Sequence, residues 1–121
     1  MASDLTAAPK REFQSFHDFP IVTDLDNIDA DIAILGIPFG DPYSMGEASN
    51  DQCNAPTHIR RYCERALRGL DRYDFDIGGT LLDGRDIKVV DCGDVVGEAK
   101  DIAGNHDRSE KVAVSYTHLT L

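Results

Sequence analysis

The sequence contains no tryptophan, and aromatic residues make up only 7% of its 121 positions. Any core must therefore rest largely on small branched side chains. Positive charge is also scarce: 12 Lys and Arg stand against 22 Asp and Glu, a formal net charge of -10. Such a chain repels polyanions, which excludes nucleic acid as an expected partner. No apolar run approaches the roughly 18 residues of a membrane span, and Met1 to Leu5 has no basic stretch leading into an apolar one. No membrane is expected, and cytoplasmic residence is the expectation. The cysteines are three, Cys53, Cys63 and Cys92, in neither a C-x-x-C pair nor a zinc-knuckle spacing. An odd set so spaced predicts reduced, partly buried thiols and no disulfide framework. Repeats, heptads and low-complexity tracts are missing too.

What remains is the composition of a folded globular chain, 41% hydrophobic and 28% charged. Residues 1–29 carry scattered charge, Pro9 and Pro20 without a sustained period, and read as an extended arm, weakly ordered or docked on something larger. Ala30 to Pro38 is a short apolar run closed by Gly36 and Pro38, as expected of a parallel strand buried on both faces. Phe39 to Pro56 reads as a long irregular loop. Asn54 and Pro56 then signal a helix start, with Ile59, Cys63, Ala66 and Leu67 toward the core and Arg60, Arg61, Glu64 and Arg65 in water. The helix is predicted to stop before Gly69. Tyr73 to Gly79 is an aromatic, acidic connector, Leu81 to Arg85 a turn, and Ile87 to Val95 a second strand ending in a Gly-Asp turn. Gly97 to Asn105 reads as a polar loop, with a helix beginning at His106. Strand, helix, strand makes a βαβ unit and an α/β fold with a right-handed crossover. A two-strand unit alone leaves open edges, so these residues are expected to form part of a larger sheet.

Three ordered stretches carry a family resemblance. Asp31-Ile32-Ala33-Ile34-Leu35-Gly36-Ile37-Pro38-Phe39 resembles the first strand and Gly-x-Pro-Phe turn of ureohydrolases, the arginase and agmatinase family. Ala55-Pro56-Thr57-His58-Ile59-Arg60 is similar to that family's Gly-Pro-x-x-Ile-Arg helix start, with Ala55 where Gly is usual. Val89-Val90-Asp91-Cys92-Gly93-Asp94-Val95 is similar to its next strand. The likeness covers residues 30–114, leans toward agmatinases, and departs in the long Asp41 to Gln52 loop. It implies the N-terminal part of a three-layer α/β/α sandwich with a parallel sheet. It also implies an intact parent that hydrolyses a small cationic guanidino substrate to urea and an amine, uses paired manganese, and forms a homo-oligomer. Of the family's metal motifs, Gly-Gly-Asp-His and Asp-Ala-His-x-Asp do not occur here, and the bare Asp-x-Asp spacing occurs, at Asp24-Leu25-Asp26, Asp29-Ala30-Asp31 and Asp74-Phe75-Asp76, without the other two. The chain is accordingly expected to be an incomplete domain without catalytic, cofactor-binding or metal residues of its own. Residues 115–121 resemble a translated sequencing-adapter read-through, an artefactual tail.

The remaining chemistry-bearing residues weigh toward plain roles. Histidines 17, 58, 106 and 118 show no H-x-H or H-x-x-x-H spacing, although guanidinium hydrolysis needs converging carboxylates and imidazoles around metal-bound water. His106-Asp107 reads as a solvated pair and His58 as a surface residue. Asp91 and Asp94 form a tempting acid-base pair, but Asp91 is expected to bond backbone donors and Asp94 to cap the turn after its strand. Gly36 to Gly40 lacks the spacing of a phosphate cradle, which disfavours a nucleotide-binding half domain. The loop from Gly40 to Gln52 lies beyond a strand's carboxyl end, where α/β proteins bind ligands. Its Asp41, Glu47 and Asp51 are therefore candidates for shaping a cationic entrance, against a neutral structural loop. The alternative to a ureohydrolase piece is a small acidic α/β binding or scaffold module without catalysis.

Overall fold

The computed structural model describes residues 5–7, 15–40, 51–63, 70–98 and 100–119. They form β1 (Thr6–Ala7), β2 (Ile32–Gly36), α1 (Ala55–Tyr62), β3 (Val89–Val95) and α2 (Ile102–Leu119), with single 3-10 turns at Phe16–Asp18, Leu25–Asn27 and Asp51–Asn54. The fold is α/β. Sheet order is β1-β3-β2, with β2 parallel to β3 and joined to it through α1, as the βαβ reading requires.

The sheet has one more strand than expected. β1 runs antiparallel to β3, Thr6 opposite Val95 and Ala7 opposite Asp94. On the same side, Val22 N–H donates to Asp91 O and Asp91 N–H to Pro20 O, both at 2.9 Å. β3 is thus bonded along both edges, and all seven of its residues are buried. β2 differs from its reading as a doubly buried strand: Ile32 is exposed and the next three residues are only half-buried. The reason is position, since no strand pairs with its outer edge among the described residues.

Side-chain alternation along β3 divides the packing. Val90 and Cys92 join Leu25, Val95 and Val112 of α2 in the core cluster. Asp91 points to the other face, toward α1. At Gly93, whose φ is +75, the alternation slips. Ile34 pairs with Asp91 and Gly36 with Asp94, so a step of two residues on β2 faces a step of three on β3. Such a bulge inserts one residue and re-aims those that follow. Asp91 and Asp94 consequently share the α1 face, while Cys92 and Val95 share the other.

α2 begins four residues before the expected His106. Asp101 caps it, its Oδ1 accepting from Gly104 N–H at 3.0 Å, the N3 donor that such a cap satisfies. Asn105, buried in the first turn, exchanges two bonds with the Glu98 backbone at 2.8 and 3.0 Å. The supposed polar loop is therefore a cap and a first helical turn. Tyr116 Oη donates to Ala30 O at 3.1 Å from the far end of α2. The Asp74 to Gly79 connector closes on itself through a short antiparallel bridge, and Leu81 to Gly84 is a turn as expected.

Candidate functional site

The charged residues buried among the described ones gather in a single centre that joins α1 to β3. Arg60, expected in water, is 3% exposed. Its Nε and Nη2 donate to the two carboxylate oxygens of Asp91 at 2.8 and 2.9 Å, and its Nη1 to Asp94 Oδ1 at 2.5 Å. Nη2 also reaches Gly93 O at 3.1 Å. The planar fork of a guanidinium suits this bidentate grip, which an ammonium cannot reproduce.

The helix is turned one residue from the expected phase. Its buried side carries Pro56, Arg60 and Cys63, at i, i+4 and i+7, while Ile59 is 55% exposed. Two acids on the opposing strand explain the rotation, since burying them without a countercharge costs several kcal/mol, roughly more than one exposed isoleucine forfeits. Ala66 and Leu67 lie outside the described residues, as do Glu64 and Arg65. Asn54 precedes the helix as expected but makes no side-chain cap bond. Its backbone is already helical because the 3-10 turn Asp51–Asn54 leads straight into α1.

Asp91 is wholly buried and has further partners. Phe16 N–H donates to its Oδ2 at 2.8 Å and Gly93 N–H to its Oδ1 at 2.9 Å. The expectation of backbone donors thus holds, with Arg60 added. Burial pushes the Asp91 carboxyl up, but the hydrogen bond from Arg60, those from Phe16 and Gly93 and the guanidinium charge outweigh it, leaving it below its ordinary value. Burial likewise opposes the charge on Arg60, and the Asp91 and Asp94 carboxylates more than restore it. Asp94 does not cap a turn. It lies within β3 and binds Arg60.

Gly36 completes the cluster. A Cβ there would fall 1.9 Å from Asp94 Oδ1 and 3.0 Å from Pro56 Cβ. Only a bare backbone lets β2 approach this closely. Beside it opens an apolar cavity of about 340 Å³, lined by Phe16, Ile34, Leu35, Ile37, Pro56 and Ile59, at the carboxyl end of β2 and the start of α1.

Other candidates stay apart from this centre. His17 sits in the Phe16–Asp18 turn with its ring edge-on to Phe16. His58 is exposed and stacks on Tyr62. His106 and Asp107 are exposed on α2, where Asp107 pairs with Lys111 at 2.7 Å. The side chain of His118 is outside the described set. So are Asp41 and Glu47, while Asp51 opens the 3-10 turn before α1. Cys63 and Cys92 are buried free thiols and Cys53 is half-buried. Burial, and then the Asp91 charge, push the Cys92 thiol up.

Among the described residues no three His, Cys, Asp or Glu side chains gather as a metal site requires. The two buried carboxylates are already committed to Arg60, so these residues do not fit a paired manganese centre. The arrangement can lock a helix to a strand. It offers no free base and no nucleophile. No described helix is long and apolar enough to cross a membrane. No protein-family model matches the chain, and no curated protein or solved structure shows significant similarity to it.

Proposed function

We propose that these residues are the amino-terminal strand, helix, strand portion of an agmatinase-like ureohydrolase, cytoplasmic and oligomeric when intact. Its reaction would hydrolyse a small cationic guanidino compound to urea and an amine. On this reading the manganese ligands and the catalytic groups belong to sequence outside residues 1–121, and this portion contributes scaffold. One observation supports it: the three stretches that carry the resemblance meet at a single point. Gly36 from the first, Pro56 and Arg60 from the second, and Asp91, Gly93 and Asp94 from the third form one buried cluster. Their recurrence in that order then has a physical reason, because each restricts the others.

The test begins with the coding sequence. Its in-frame continuation is expected to encode Gly-Gly-Asp-His, then Asp-Ala-His-x-Asp and Asp-x-Asp. The extended protein should release urea from one of agmatine, arginine, guanidine or a guanidino acid, and lose that activity to a chelator until manganese is returned. Residues 1–121 alone should release none. A continuation lacking those motifs, or chelator-resistant urea release by the short chain, would refute the proposal. The second reading, a non-catalytic binding module, draws on the apolar cavity and on the exposed aromatic turn near residue 75.

A further inference from the structure

An aromatic side chain is held out in water by an ordered turn. Phe75 is 90% exposed. Around it, Asp74 and Gly79 exchange backbone bonds of 2.8 and 3.2 Å, and Gly78 N–H donates to Asp74 O at 2.8 Å. Asp76 N–H donates to Asp74 Oδ1 at 2.8 Å, and the Tyr73 ring meets Phe75 edge-on at 5.1 Å. Ile77 and Leu81 nearby are exposed as well. Fixing a large apolar group in solvent serves no local purpose, and such patches commonly mark contact surfaces.

An apolar surface able to receive such a side chain lies beside α1. A parallel crossover starts at the carboxyl end of its first strand and returns to the amino end of the second. The cavity lined by Ile34, Leu35, Ile37, Pro56 and Ile59 sits at the carboxyl end, whereas residues 73–81 precede the amino end of β3. Phe75 is not among the residues that line that cavity and stands in solvent instead. About 340 Å³ is room for a phenyl ring, within the roughly 300 to 1,000 Å³ of cavities that take small ligands. Charge matches too. Asp71, Asp74 and Asp76 are exposed in the turn region and outnumber its one cation, Arg72, while α1 carries the exposed Arg61 with no acidic residue along its length.

We propose that the Phe75 turn of one copy seats in the cavity beside α1 of a second copy, so that this chain associates head to tail. The contact is heterologous, each copy giving a turn to one neighbour and a cavity to the other, and it grows unless the rotation closes a ring. It is independent of the ureohydrolase reading.

Sedimentation velocity over a concentration series tests it. The chain should rise above its monomer mass of 13.3 kDa with concentration. Phe75→Ser and Ile59→Glu, both at exposed positions and expected to keep the parent's circular dichroism spectrum, should each weaken association by about tenfold or more. Mixed one to one, they should form a heterodimer that grows no further, because one variant keeps the cavity and the other keeps the turn. Val114→Ser, an apolar loss on the exposed side of α2 away from both surfaces, should associate like the parent. A monomer at every concentration would overturn the proposal and leave the turn to another partner. Equal effects of Phe75→Ser and Val114→Ser, or no heterodimer in the mixture, would overturn it too.

Discussion

At the scale of single residues, Arg60 ties α1 to β3 through four hydrogen bonds. Replacing it with Met leaves Asp91 and Asp94 buried with no cation, and breaking a buried pair in this way costs about 3 to 5 kcal/mol. A domain of this size has a total stability on the order of 5 to 15 kcal/mol, so the cooperative urea transition of Arg60→Met should shift far down or vanish. Arg60→Lys keeps the charge and loses the fork. Its midpoint should fall between those of the parent and Arg60→Met. Acid probes the same centre. Because the folded Asp91 carboxyl titrates below its ordinary value, the unfolded chain takes up that proton first as pH falls. The contribution of Asp91 is therefore complete above about pH 4 and lost as pH drops through the folded value. Urea midpoints should decline on acidification into that window, and less steeply in Asp91→Asn. Thiol chemistry gives a separate check: Cys53 should react with a disulfide reagent in the native chain, while Cys63 and Cys92 wait for denaturant.

Among the elements, the two helix starts respond differently to the loss of their first side chain. Asp101→Ala removes a bonded cap and should cost about 1 kcal/mol. Asn54→Ala removes no bond and should stay within about 0.5 kcal/mol, measured in the same urea titration. Apolar runs and glycine or proline punctuation made β2, β3 and α1 legible in the sequence, together with their parallel order. The start of α2 was hidden because Gly104 and Asn105 are poor helix formers in isolation, and only the bonds to Asp101 and Glu98 hold them in the turn. β1 has two residues, too few for any period to show. At the site, Asp91 was legible as a residue served by backbone donors, but its partner was not. An arginine on a short amphipathic helix reads as solvated until two acids on the next strand are known to share a face. That sharing depends on Gly93, whose slip leaves no trace in the alternation of residue types.

Across the whole molecule, protection from solvent should be graded by place in the sheet. β3 is bonded on both edges, so amides of Val90 and Cys92 should exchange slowest with deuterated water. Ile32 N–H donates to Lys88 O at 3.0 Å, and in a parallel ladder the donors of Ala33 and Leu35 then point away from β3. Those two should exchange faster than Ile34 in a residue-resolved measurement. Equal rates would mean that another strand covers the outer edge of β2.

The slip at Gly93 also sets what mutation can do at this position. A left-handed residue tolerates few replacements, and Gly93→Ala should cost about 1 to 2 kcal/mol. Forcing that residue back into regular extended backbone would be worse in kind. Strict alternation would return, and Asp94 would swing through to join Val90, Cys92 and Val112, an ionised acid set among hydrocarbon. At position 93, then, this lineage is free to vary only among residues that keep the left-handed step.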